Sequence, residues 1–345
     1  MSFAAFVNET VSIWRQRTPA GSKAAGESLH LDQMPPDTRR MLRNRRYCLI
    51  LLQESNVPLD ALDASFAWKA LQHEMALVPA GEIALLTDSV IAGNRGPEIC
   101  SNRGVVTPVQ SHYIDRCCVS NADYAKFVQA GGYHDPHHWP EAILPAVLQF
   151  VDSTGQPGPR YWSQGIPPAD KLDHPVVGVC WYEANAYATW VGKRIPTAEQ
   201  WQRAATWAKG HGHAVETRYP WGNVFDPCKA NTWASRCGET VPVTAFADGN
   251  TPNGVRQLIG NVWQWVDTDF YPVATDGQVV HLDEPLVEVR GGAFDTYFHS
   301  QATCQFRTGR GVFHRGPNVG FRCCISVEAL PLPAGSHPSD EGLPE

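Results

Sequence analysis

Three side chains able to bind a metal or take part in redox chemistry, His299, Cys304 and His314, fall within the stretch Arg290 to Cys324. An imidazole and thiolate set suits copper or iron, so these three are the candidate catalytic residues if the chain is a metal-dependent oxidoreductase. The same stretch holds Asp295, Thr296, Tyr297, Phe298, His299, Ser300 and Gln301, with Phe313, His314 and Arg315 further on. Hydrogen-bonding and aromatic groups of low rotamer entropy are what binding loops use. The residue types therefore support a ligand-binding surface as well as a catalytic one. A second group, His134, His137 and His138, has ligand chemistry but no cysteine, carboxylate pair or helical His spacing to complete it. It is expected to be a surface loop.

The elements that position the first stretch can be read from its ends. Arg290-Gly291-Gly292 follows the alternating run Leu286 to Val289, and Asn318-Val319-Gly320-Phe321-Arg322 alternates again. Two strands are expected to hold a long exposed segment, the arrangement in which loops carry function. Before it, strands are expected at Met75 to Ile83, within Val105 to Asp115 and at His174 to Trp181. Helices are expected from Ser120, from Trp181 to Gly192 and from Thr197 to Ala205. Ser120 with Asp123, and Thr197 with Gln200, have the spacing of an N-cap and its partner. Residues 1–70 differ in composition. Phe3, Phe6, Val7, Val11 and Trp14 recur at helical spacing, and Leu42, Leu49, Ile50 and Leu52 form an apolar face in a basic helix with Arg39, Arg40, Arg43, Arg45 and Arg46. A linker from Gly21 to Pro36 separates them. The organisation expected is a helical N-terminal module (1–70), a main domain (71–327) and a flexible tail (328–345). The arginine run is read as a solvated helix face, with docking of a protein partner as the alternative.

Composition excludes several classes. A net charge of −7 with 18% charged residues and no long basic run gives no footprint for nucleic acid. No leader pattern and no apolar run of membrane-spanning length occur, so no membrane is expected and the cytoplasm is the expected compartment. Ten cysteines in 345 residues are too few for a disulfide scaffold. Most are expected as buried small hydrophobes. Twelve tryptophans, 29 glycines and 27 prolines indicate a turn-rich chain anchored by aromatic rings.

Six motifs then carry a resemblance: His174 to Cys180, Gly192-Lys193-Arg194-Ile195-Pro196-Thr197, Tyr219-Pro220-Trp221-Gly222-Asn223, Gly260-Asn261-Val262-Trp263-Gln264-Trp265, Arg290-Gly291-Gly292 and Gly320-Phe321-Arg322. In this order they resemble the formylglycine-generating enzyme, or sulfatase-modifying factor, superfamily, over about Met75 to Ser326. The resemblance implies an irregular α+β fold of the C-type-lectin kind. It implies three kinds of role: copper oxidases that make formylglycine, iron-dependent sulfoxide synthases, and ligand-binding variable proteins of diversity-generating retroelements.

The resemblance also places site residues. The copper-binding cysteines would fall at Thr296 and at His299 or Gln301, and the pocket serine at Ala293, while the pocket tryptophan is kept as Trp265. Copper is therefore not expected. Cys304 and Cys323 would have lost disulfide partners at Ala188 and Ala205. Calcium is implied at Asn231 and at a second position made by Gly260, Val262 and Gln264, where an amide stands for the usual carboxylate and weakens the site. The iron histidines of the synthases are missing, since residues 1–73 hold only His30 and His73. The reading favoured is a binding module for a protein or small-molecule ligand. A metal-dependent oxidoreductase with an altered site is the alternative, and formylglycine formation is not expected.

Overall fold

Pro79 removes a ladder donor in the middle of the expected Met75 to Ile83 strand, and a computed structural model of the chain shows two strands there, β1 (Met75–Val78) and β2 (Gly81–Ala84). The structure describes residues 35–52, 61–85, 87–93, 96–102, 106–206, 216–272, 279–280 and 282–330. The expected first helix, His30, most of the linker and the tail beyond residue 330 lie outside the described residues. From Pro36 the chain forms one unit.

Three helices come first: α1 (Pro36–Arg43), α2 (Tyr47–Leu51) and α3 (Ala61–Glu74). After β1 and β2 come the hairpin β3 (Thr87–Gly93) and β4 (Gly96–Asn102), then β5 (Val106–Val109) and β6 (His112–Asp115). The helices α4 (Asn121–Gln129), α5 (Leu144–Val147), α6 (Trp181–Trp190) and α7 (Ala198–Thr206) follow. The last strands are β7 (Trp263–Asp269), β8 (Leu286–Arg290), β9 (Arg307–Gly311), β10 (Val319–Gly320) and β11 (Cys324–Ser326). β6 is central to an antiparallel sheet in the order β1-β6-β11, and a second sheet runs β10-β7-β8-β9 with β10 parallel to β7. Short elements and long turns make this the irregular α+β fold expected.

Local signals explain the helix starts. The Ser120 hydroxyl accepts from Asp123 N at 3.2 Å. At α7, Thr197 Oγ1 accepts from Gln200 N at 3.4 Å while Gln200 Oε1 accepts from Thr197 N at 3.2 Å, a reciprocal cap. The run His174 to Trp181 is not a strand. Pro175 lacks an N–H, and Gly178 at φ 73° turns the chain, so Val176, Val179 and Cys180 are buried from irregular backbone.

The main core packs α4 and α6 against β10 and Phe321. Tyr124 stacks on Tyr187 with centroids 5.3 Å apart, and Phe321 meets Tyr187 edge-on at 5.6 Å. Each such pair adds roughly 0.5–1.5 kcal/mol beyond area burial. A second cluster packs α7, through Trp201 and Ala205, on Ala76, Val78, Ile114 and Cys324. Adjacent Cys323 and Cys324 point to opposite faces of the chain, one into each core.

The arginine run differs from expectation. Arg45 takes φ 60° and ends α1, so the predicted single basic helix is two short ones. Its guanidinium bonds Glu74 at 2.6 Å and also Asp123. Arg46 donates to the Trp190 carbonyl at 2.8 Å and lies 5.1 Å over its ring. Lys193 reaches Tyr47 Oη and Asp115 Oδ1, each at 2.7 Å. Only part of the run is solvated, because its last two members hold the N-terminal helices to the core.

Candidate functional site

The segment after β8 is shaped by two glycines in the left-handed region, Gly291 at φ 94° and Gly292 at φ 75°. A Cβ on Gly291 would come 2.3 Å from the Leu258 carbonyl oxygen, so no other residue fits that turn. Thr296 closes the next turn: its hydroxyl accepts from Ala293 N at 2.8 Å, and its own N–H donates to Ala293 O at 3.0 Å. The Thr296 carbonyl accepts from Trp233 N at 3.2 Å, which ties the loop carrying Trp233 to this segment.

Above that buried turn three rings stand in solvent. Trp233, Tyr297 and Phe298 are 59%, 66% and 53% exposed. Their centroids lie 6.1 Å apart for Trp233 and Tyr297 and 5.1 Å for Tyr297 and Phe298. His299 continues the row by stacking on Phe225 at 5.6 Å. Phe225 lines a cavity of about 340 Å³ together with Trp221, Asp226 and Lys229. Asp295, exposed at the other end, accepts from Asn318 Nδ2 at 2.8 Å. Trp233 was not among the candidates read from the sequence. It lies 64 positions from Tyr297 in the chain, and the bond to the Thr296 carbonyl helps bring them together.

The remaining candidates lie elsewhere. Ser300 and Gln301, part-exposed, follow His299 in a short 3-10 turn. Phe313 packs on Tyr182 at 5.3 Å and Phe150 at 6.3 Å, apart from the Tyr297 rings. Beside it, burial first and then the Arg310 charge hold the His314 imidazole below its usual pKa. Arg315 points inward and donates to the carbonyls of Val151, Gly158 and Gly178 at 2.9, 2.6 and 3.1 Å. It also pairs at 2.8 Å with Glu183, whose carboxyl burial pushes up. Trp265 is fully buried with its N–H on the Val179 carbonyl at 3.2 Å. Thr296 thus supports the rings from beneath, while Arg315 and Trp265 belong to the interior around Glu183 and Val179.

The set His299, Cys304 and His314 is not assembled. Cys304 is buried, its thiol 3.6 Å from the Ala205 carbonyl and pushed up by burial, and among the described residues no three His, Cys, Asp or Glu side chains gather as a metal site. Cys304 and Cys323 are free thiols. Copper does not fit, because Thr296 gives its hydroxyl to a turn and no thiolate stands beside it. The calcium candidates are also engaged. Asn231 Nδ2 donates to Glu239 O at 2.9 Å and Asn261 Oδ1 at 3.1 Å, and its Oδ1 lies 3.0 Å from the Ser235 hydroxyl. The Gly260 carbonyl accepts from the N–H of buried Val262 at 2.9 Å. Gln264 Oε1 accepts from Trp201 Nε1 at 2.9 Å and from the Arg322 guanidinium at 2.7 Å. A cation has no oxygen left at Gln264, and the arginine charge opposes one.

Residues 64–327 match the family described as the sulfatase-modifying factor enzyme 1-like domain. The chain belongs to this family. Among its relatives, the formylglycine-generating enzyme of Thermomonospora curvata is 32% identical over 61% of this chain and 80% of its own length. The mouse protein called inactive C-alpha-formylglycine-generating enzyme 2 is 30% identical over 73% of this chain and 86% of its own. Hercynine oxygenase of Mycolicibacterium smegmatis is 29% identical over 64% of this chain but only 50% of its own. Among solved structures, PvdO from Pseudomonas aeruginosa is 20% identical over 73% of this chain and 94% of its own, with a TM-score of 0.47. In this chain the segment from Ala293 to Thr303 holds no cysteine and carries the exposed rings of Tyr297 and Phe298. No described helix is long and apolar enough to cross a membrane.

Proposed function

We propose that this member of the sulfatase-modifying factor family is a binding module, and that it holds a protein or small-molecule ligand against Trp233, Tyr297, Phe298 and His299. The observation that carries the reading is the contiguous row of solvent-exposed rings on a rigid base, where Thr296, Gly291 and Gly292 fix the backbone. Aromatic rings have few rotatable bonds and lose little rotamer entropy on contact, and Trp and Tyr are among the side chains most often found as hot spots. The cavity beside Phe225 gives the same face a concave edge, with Asp226 and Lys229 as polar groups for orientation.

The test is binding of the purified full chain to peptide and glycan arrays, repeated with Trp233→Ala/Tyr297→Ala and with Phe313→Ala. The double variant is expected to lose at least about 30-fold in affinity, the loss of one hot-spot residue, with an unchanged melting temperature. Phe313→Ala is expected to bind as the wild type does. Equal binding by all three proteins would overturn the reading. A finer version, in which the segment between Gly292 and Val319 is diversified as in retroelement variable proteins, predicts clonal isolates that differ only there. Identical segments in every isolate would remove that version.

A further inference from the structure

We propose that the side-chain amide of Gln264 fills, inside this fold, a place that a divalent cation would otherwise take, and that this amide keeps the place closed to cations. Gln264 is fully buried on β7. Its Nε2 donates to the carbonyls of Gln257 at 2.9 Å and Leu258 at 3.3 Å. Arg322 Nη2 donates to Arg256 O at 2.7 Å and Gln257 O at 3.2 Å. Three successive carbonyls, from Arg256 to Leu258, are thus met by N–H groups of these two side chains. Gly291 closes the spot, since a Cβ there would lie 2.3 Å from Leu258 O and 3.3 Å from Gln264 Nε2.

Converging carbonyl oxygens are what a hard cation such as Ca²⁺ takes as ligands. An amide meets the same need without an ion because it has a donor end and an acceptor end. The Nε2 end serves the carbonyls, and the Oε1 end serves Trp201 and Arg322. A carboxylate has no donor end. In Gln264→Glu one oxygen would keep Trp201 and Arg322, but the other would face two carbonyl oxygens from the amide's present place, 2.9 and 3.3 Å away. Only a proton or a cation between them relieves that repulsion. The new carboxylate charge would also neutralise the Arg322 guanidinium that opposes a cation in the wild type, so one substitution should open the place and make the protein calcium-responsive.

The test compares wild type and Gln264→Glu by thermal unfolding at about pH 8, in EDTA and in millimolar Ca²⁺. Emission of Tb³⁺ excited through tryptophan is read in parallel. The wild type is expected to melt at the same temperature in both buffers. The variant is expected to melt several degrees higher with Ca²⁺ and to show Tb³⁺ emission above the wild type. A variant recovered only when refolded with Ca²⁺ would also support the proposal. A variant that folds and ignores Ca²⁺, a variant insoluble in both buffers, or a wild type stabilised by Ca²⁺ would overturn it.

Discussion

Replacing Arg315 by methionine should unfold the protein at a markedly lower temperature, by an amount that depends on pH. The guanidinium bonds three backbone carbonyls, of Val151, Gly158 and Gly178, and the buried carboxylate of Glu183. Methionine fills much of the volume but leaves Glu183 with neutral partners alone, among them the Tyr133 hydroxyl at 2.6 Å and the Cys180 N–H at 2.8 Å. Removing one partner of a buried ion pair costs roughly 3–5 kcal/mol, and at about 1–2 °C per kcal/mol for a chain of this length the loss is on the order of 5 °C. Burial already raises the Glu183 carboxyl above its unfolded value despite Arg315. Without the arginine it rises further. A carboxyl with a raised folded pKa favours the fold below its unfolded pKa, and that stability is lost as pH climbs through the folded value. The gap between variant and wild type should therefore be smaller at about pH 5 than at about pH 8. Scanning fluorimetry at the two pH values reads both effects. A variant within about 1 °C of wild type, a shift below what 1 kcal/mol gives, would show that Arg315 is a free recognition residue, and a pH-independent gap would refute the role given to Glu183.

Other outcomes follow from the same geometry. With Cu(I), a thiol reductant and a sulfatase peptide, the wild type should form no formylglycine above a metal-free control. Thr296→Cys/Gln301→Cys and Thr296→Cys/His299→Cys should also fail, because the first change removes the hydroxyl that closes the Ala293 turn and no supporting shell exists for the metal; product from either double variant would show that only the ligands were lost. Gly291→Ala should be strongly destabilising, read as a lower melting temperature, since it combines φ 94° with a 2.3 Å approach to Leu258 O; a drop smaller than the roughly 1–2 kcal/mol of left-handed backbone strain alone would contradict the clash. Of the described cysteines, only exposed Cys228 and Cys237 should react quickly with a thiol reagent on the native protein. Burial pushes Cys48 and Cys324 up to about 12, so their labelling should wait for unfolding, and prompt reaction of either would place it nearer the surface.

Much of the scaffold was legible in the sequence because its signals are local. Ser120 with Asp123, and Thr197 with Gln200, announce helix starts within four residues. The Arg290-Gly291-Gly292 turn and the run Leu286 to Val289 gave β8 and its exit. The His174 to Trp181 segment misled because burial from both sides looks like a strand unless Pro175 and Gly178 are weighed first. The site was less legible, since its parts meet through contacts between distant segments. Trp233 joins Tyr297 with the help of a bond to the Thr296 carbonyl, and Arg315 turns inward because Glu183 lies 132 positions earlier in the chain. Neither direction can be read from residue type. Arg45 and Arg46 failed for the same reason: a basic run looks solvated until Glu74, Asp123 and Trp190 are brought to it.

Fluorine NMR on protein labelled with 5-fluorotryptophan tests the central claim most directly. Twelve tryptophans give twelve resonances, with Trp233 and Trp265 assigned by Trp233→Phe and Trp265→Phe, and the array ligand that binds tightest is titrated in. The account predicts that the Trp233 signal, from an exposed ring beside Tyr297, shifts and saturates while that of buried Trp265 stays in place. A ligand that moves Trp265 and leaves Trp233 unchanged would place recognition in the interior beside Trp265 and contradict the surface described.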